Sequence, residues 1–175
     1  VMPTHCPICE TPVVRPEGEA VTRCPNRRCS AQLEASIRYF CSRNALDIEG
    51  FGEKIVAKLV SEGIVSDPAD LFSLTAERIT EELVFVDKNG QESRLRDRGS
   101  QLWVDQLEKA KTRPFSKVLV AMGIRHVGRR VGEILAEAFG SMDRLRQASA
   151  EEISSVHEIG PEIGRRVHEF FNDED

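Results

Sequence analysis

The sequence lacks any apolar run approaching the roughly 18 residues that a membrane-spanning helix needs. Its opening, Val1 to Pro16, has no apolar stretch behind a basic start, so neither a membrane span nor an export leader is expected. It also lacks an excess of positive charge: 24 lysines and arginines face 29 carboxylates, for a net charge of −5. A nucleic-acid binder usually carries a basic patch, and none is evident. Aromatics are scarce, with one Trp, one Tyr and 8 Phe in 175 residues. Trp103 and the phenylalanines fall at helical spacing and read as core, not as stacking platforms for bases. Disulfide pairing is disfavoured too, because the five cysteines are odd in number and four of them crowd into residues 6–29. A reducing, cytoplasmic home is expected.

What is present is enough for a core: 40% of residues are hydrophobic, which argues against global disorder, and the length suits one ordinary domain or two small ones. The charge is unevenly spread. Residues 1–47 carry 6 basic and 5 acidic side chains, residues 48–114 carry 10 and 13, and residues 115–175 carry 8 and 11. Any contact with a polyanion must therefore lean on local groups, such as backbone N–H donors and a few arginines.

Cys6-Pro7-Ile8-Cys9 and Cys24-Pro25-Asn26-Arg27-Arg28-Cys29 give C-x2-C, fourteen residues, then C-x4-C. Two short cysteine loops joined by a returning spacer can supply four thiolates to one tetrahedral zinc ion. With all four ligands from the protein, no position is left for a water, so such a zinc is structural. It would replace the core that residues 1–29 are too short to build. His5 is the one substitute ligand nearby, and Cys41, on an apolar helix face with Ile37 and Phe40, reads as buried packing. Arg23, Arg27 and Arg28 flank the second pair, either as phosphate contacts or as a solvated rim offsetting thiolate charge.

Residues 30–175 read as short helices separated by glycines. A helix is expected from about Ser30 to Ala45, with further starts at Asp67-Pro68 and Thr75. Residues 84–94 break the pattern: Val84 and Val86 alternate, and Asn89-Gly90 favours a hairpin turn, so a small β-hairpin insertion is expected. Aligning the glycines exposes a repeat. Ile48-Glu49-Gly50-Phe51-Gly52, Leu95-Arg96-Asp97-Arg98-Gly99, Ile124-Arg125-His126-Val127-Gly128 and Val156-His157-Glu158-Ile159-Gly160 each precede an apolar helical stripe, at intervals of 47, 29 and 32 residues between last glycines. The stripes are Ile55, Val56 and Leu59, then Leu102, Trp103 and Leu107, then Val131, Ile134 and Leu135, then Ile163, Val167, Phe170 and Phe171. The fold class expected is mainly α: a four-cysteine zinc module over 1–29, then a helical array of four helix-hairpin-helix motifs over 30–175, interrupted by the hairpin.

A glycine hairpin feeding a helix N-terminus brings unpaired N–H groups and a positive dipole end to one point, which suits a phosphate. Such contacts position a protein on a duplex without reading bases. The candidate DNA-binding residues are Gly50, Gly52, Lys54, Gly99, Arg125, Gly128, Arg130, Gly160, Arg165 and Arg166. Two residues past each last glycine stand Lys54, Gln101, Arg130 and Glu162, so the first and third repeats are expected to grip best. The second, with Asp97 and Arg98 in place of glycine and an apolar residue, looks degenerate. A helical bundle with solvated arginines and no nucleic-acid role is the bland alternative.

The four cysteines, then RYFCSRNALDIEGFGEKIVAKL, DPADLFSLT and FSKVLVAMGIRHVGRRVGEILAEAFGSM, resemble the zinc finger and helix-hairpin-helix domain of bacterial NAD-dependent DNA ligases over nearly the whole chain. The resemblance implies a parent enzyme that seals nicks in replication and repair: a lysine is adenylylated from NAD, AMP passes to the nick 5′-phosphate, and the 3′-hydroxyl displaces it. It implies that this region helps encircle nicked duplex along the minor groove, beside nucleotidyltransferase, OB-fold and BRCT domains, in the bacterial cytoplasm near the nucleoid. The chain departs from the family at the second hairpin and has no K-x-D-G motif. It is therefore expected to be a fragment that binds one structural Zn²⁺ but neither NAD nor Mg²⁺, and to seal nothing alone. The other readings are a standalone zinc and hairpin repair module and a protein-interaction scaffold.

Overall fold

A computed structural model describes residues 3–15, 20–26, 28–86, 89–94 and 97–172. Arg27, the Leu95-Arg96 part of the second repeat and the expected frayed end Asp173–Asp175 lie outside the described residues. The chain forms two compact units, one of residues 1–38 and 49–107, the other of residues 39–48 and 108–175. Two helices, α1 (Ser30–Cys41) and α4 (Asp97–Ala110), each begin in the first unit's residues and end in the second's.

The first unit opens with irregular backbone held by isolated bridges, His5 to Pro12 and Val14 to Arg23. After the Gly50–Gly52 turn come α2 (Glu53–Ser61), a 3-10 helix (Pro68–Ser73) and α3 (Ala76–Glu82). The last two start as their sequence signals require. Asp67 accepts from Ala69 N at 2.7 Å, Asp70 returns the cap to Asp67 N at 2.9 Å, and Thr75 Oγ1 accepts from Arg78 N at 3.2 Å. Phe51, Val56, Leu59, Leu71, Ile79, Leu83 and Leu107 are buried here. Strands β1 (Val84–Val86) and β2 (Glu92–Arg94) pair antiparallel, Val84 with Arg94 and Val86 with Glu92. That register makes the connection five residues long, from 87 to 91, rather than a two-residue Asn89-Gly90 turn. Gly90 still takes the left-handed conformation, with φ +76°.

In the second unit, α1 stops at Cys41, short of the expected Ala45. The following turn bonds instead back to Tyr39, Phe40, Cys41 and Ser42 carbonyls. Arg113 pins this turn, donating to Asp47 Oδ2 at 2.8 Å and Leu46 O at 3.0 Å, while Lys117 Nζ donates to the carbonyls of Arg43 and Asn44. Then follow α5 (Phe115–Ala121), α6 (Arg129–Phe139), α7 (Met142–Gln147), α8 (Ala150–Ser154) and α9 (Pro161–Asn172). One core unites Leu119, Ile124, Val127, Leu135, Leu145, Ile153, Ile159 and Val167. It is built as two similar helix pairs, α5 with α6 and α8 with α9.

These pairs cross closely because a glycine sits at each crossing. A Cβ on Gly132 would lie 2.9 Å from Val120 Cγ2 and 3.0 Å from Ser116 O, and one on Gly164 only 2.7 Å from Ala150 O. Both stand four residues past the last glycine of their repeat, a spacing already present in the sequence. Seven residues past that glycine, Leu59, Leu135 and Val167 are all fully buried. Two expected core residues are not: Leu102 is 57% and Phe170 is 42% exposed.

Candidate zinc centre and phosphate-binding turns

The Sγ atoms of Cys6, Cys9, Cys24 and Cys29 all lie within 4.8 Å of one another. Cys6 and Cys29 Sγ are 3.9 Å apart, and Cys9 and Cys24 Sγ 3.5 Å apart, far beyond the roughly 2.05 Å of a disulfide. A tetrahedral zinc with bonds of about 2.3 Å places its sulfurs about 3.8 Å apart, so the cluster fits that ion. Each pair sits on a tight turn. Cys6 N donates to Thr11 O and Glu10 N to Cys6 O, both at 2.9 Å, with Glu10 left-handed at φ +58°. In the second turn, Asn26 O accepts from Cys29 N at 3.1 Å and Asn26 Oδ1 from Arg28 N at 2.9 Å. The Thr11 hydroxyl and amide hold the Cys9 thiol down at about 6, whereas burial pushes Cys24 up to about 11. Thiolates so close repel one another, and a divalent cation offsets that repulsion. Cys41 lies outside the cluster, buried, its thiol pushed up to about 12 by desolvation.

Three of the four repeats share a backbone shape. Gly50, His126 and Glu158 occupy the same position in the repeat, and all three are left-handed, at φ +99°, +67° and +69°. The conformation is thus kept where the glycine is not. Gly52 and Gly128 then stand as N-caps of α2 and α6 with extended backbone and no side-chain cap, and Gly160 directly precedes α9. At α3, α7 and α8 a Thr75, Ser141 or Ser149 side chain accepts from one N–H of the first turn, whereas α5, behind Pro114, has no side-chain cap. At α2 and α6 the first-turn donors are likewise without a side-chain cap, and there a glycine turn leads into them.

The second repeat differs. Gly99 is not a hairpin glycine, because α4 already begins at Asp97 and Gly99 lies in its first turn. Gln101, expected at a gripping position, donates to Asp105 Oδ1 at 2.9 Å. Neighbouring Ser100 is fully buried and 2.7 Å from Thr80 Oγ1, so this segment packs.

Of the candidate cations, Lys54 is exposed and Arg125 half-buried. The others are engaged by carboxylates. Arg130 donates from Nε and Nη2 to Glu158, at 3.2 and 2.5 Å. Arg165 and Arg166 both pair with Glu162, and Arg129 with Glu133 at 3.0 Å. The sequence signals missed Trp103 as a neighbour of the first turn. It packs on Phe51 with ring centroids 5.3 Å apart, and its indole lies against Gly50.

Paired cysteine turns and glycine-led helices define a class, the proteins that join a four-cysteine zinc finger to helix-hairpin-helix motifs. Residues 5–31 match the family described as NAD-dependent DNA ligase C4 zinc finger domain, and residues 117–175 match the helix-hairpin-helix motif. The chain is 41% identical over 175 residues to a DNA ligase of Prosthecochloris aestuarii, covering 99% of this chain and 24% of that protein. DNA ligases of Chlorobium phaeovibrioides (42% over 171 residues, 97% and 24%) and Rubrobacter xylanophilus (41% over 171 residues, 98% and 24%) are similar to the same extent. Over nearly its whole length the chain is thus similar to one stretch of these DNA ligases, and the NAD-dependent class is named only by the zinc-finger match over residues 5–31. It spans about a quarter of the length of these curated relatives. No helix among the described residues is long and apolar enough to cross a membrane.

Proposed function

We propose that this chain binds duplex DNA through its phosphate backbone, without sequence preference, as the minor-groove clamp of an NAD-dependent DNA ligase. The observation that carries this reading is the recurrence of one turn. A left-handed residue and a glycine without a capping side chain precede α2 and α6, and the α9 turn repeats the pattern in backbone and sequence. Backbone donors held in this way suit an anion and read no bases. Gly50, Gly52 and Lys54 form the first contact, Gly128, Arg125 and Arg130 the second, and Gly160 with Arg165 and Arg166 the third. Gly99 joins none of these turns, and any DNA contact there depends on its neighbours in α4.

Cys6, Cys9, Cys24 and Cys29 hold one structural Zn²⁺, which fixes residues 1–29 as a finger beside the hairpin-bearing residues 30–175. The whole protein uses NAD and Mg²⁺ on a nucleotidyltransferase domain and closes around nicked DNA with its OB-fold and BRCT domains, in the cytoplasm. This chain supplies grip and not chemistry: its sequence carries no K-x-D-G motif for adenylylation, and purified chain given NAD, Mg²⁺ and nicked duplex leaves the nick open. The test of binding is fluorescence anisotropy of labelled duplex over a salt series. Affinity that falls as salt rises reports phosphate contact through released counterions. Absence of binding at low salt overturns the reading and favours a protein-interaction scaffold.

A further inference from the structure

Arg130 stands two residues past the last glycine of its turn, yet its guanidinium is turned to a residue 28 positions away in the next repeat. Both oxygens of Glu158 accept from it, at 3.2 and 2.5 Å, and His157 Nδ1 lies 3.8 Å from the same carboxylate. The neighbouring arginine pairs on α6 and α9 are local, three or four residues apart on one helix. Glu158 is also the residue that occupies the first-glycine position of its repeat, left-handed at φ +69°. A carboxylate with two acceptor oxygens offers an arginine the same fork that a phosphate does.

We infer that Glu158 is an affinity-setting residue of the DNA site, an internal carboxylate that occupies Arg130 in place of backbone phosphate until duplex displaces it. This rests on the phosphate-binding role proposed for the turns. Exchange of one anion for another gains little at a single point. It becomes favourable only for a polymer whose neighbouring phosphates engage other turns at the same time, so Glu158 biases the site toward duplex over free nucleotide. The exchange has a salt signature. A phosphate taken by Arg130 releases a counterion from DNA, but the freed Glu158 takes a cation back, and the two cancel.

The test is a double-mutant cycle on the full 175-residue chain: wild type, Glu158→Gln, Arg130→Gln and the pair, each titrated with a nicked oligonucleotide duplex over a salt series. Glu158→Gln is expected to tighten binding severalfold and to steepen the salt slope by about one. Arg130→Gln is expected to cost more affinity in the Glu158→Gln background than in the wild type. Glu158→Gly, which suits the left-handed backbone, should tighten binding in the same way and guards against misfolding of the first variant. Glu151→Gln, an exposed acid on α8, is the control for general charge. The inference is overturned if wild type and both Glu158 variants bind alike with equal slopes, if Glu151→Gln tightens binding as much, or if the cycle shows no coupling. In each of these cases the wild type still binds DNA and the proposed function stands. If neither wild type nor variants bind at low salt, both fall together.

Discussion

The indole of Trp103 fills the space that a side chain at residue 50 would need: a Cβ on Gly50 would lie 2.5 Å from Nε1 and 2.7 Å from Cδ1. Glycine is thus required twice, once for φ +99° and once for the ring. Gly50→Ala should destabilise the chain by about 2–4 kcal/mol, the left-handed cost and the overpacking together. Urea unfolding, followed by emission of this single tryptophan, measures it. A loss within error of zero would show that the turn is not held against α4.

His126 carries the left-handed conformation without being glycine, at φ +67°. His126→Gly should therefore stabilise the chain by about 0.5–1 kcal/mol, the relief of backbone strain being partly offset by the freer unfolded state. A lower melting temperature for this variant would contradict the assigned backbone.

Gly132 and Gly164 differ in the room left to them. A Cβ at 132 meets Val120 Cγ2 and Ser116 O near 3 Å, whereas one at 164 meets Ala150 O at 2.7 Å and the Ser154 side chain closer still. Gly164→Ala should cost about 3 kcal/mol and Gly132→Ala about 1–2. Ser154→Ala should recover only part of the Gly164→Ala loss, since the Ala150 carbonyl remains. Equal costs at the two positions, read by chemical denaturation, would argue against this packing.

The metal centre gives a count. Chelation of the zinc-loaded chain should release one zinc, disorder residues 1–29 and leave most of the helix signal intact. Four thiols should then react with an alkylating reagent at pH 8. Cys41 should stay slow while the fold persists, because burial pushes its thiol up to about 12 and so keeps it protonated at pH 8. Five fast thiols, or loss of all helix on chelation, would contradict the account.

Much of this was legible in the chain. C-x2-C and C-x4-C set the cysteine cluster because each pair lies within one turn, where local spacing decides geometry. Asp67, Thr75 and the glycine turns likewise act over a few residues. The crossing glycines 132 and 164 carried a signal, their shared offset of four, but its meaning depends on which helix lies opposite. The Arg130–Glu158 pair carried none, for a side chain's choice among surface partners is set by neighbours in space. The second repeat, degenerate in sequence at Asp97 and Arg98, packs: α4 starts before Gly99, and buried Ser100 and Leu107 commit its surroundings to a helix.

The account turns on the open amides at the glycine-led helices, and amide chemical shifts observed during titration with nicked duplex test it most directly. The largest changes should fall on Glu53 and Lys54, on Arg129 and Arg130, and on Glu162 and Ile163, since Pro161 carries no N–H, with α3, α7 and α8, each capped by a side chain, staying still. Changes centred on those capped helices, with the three glycine turns unmoved, would contradict it.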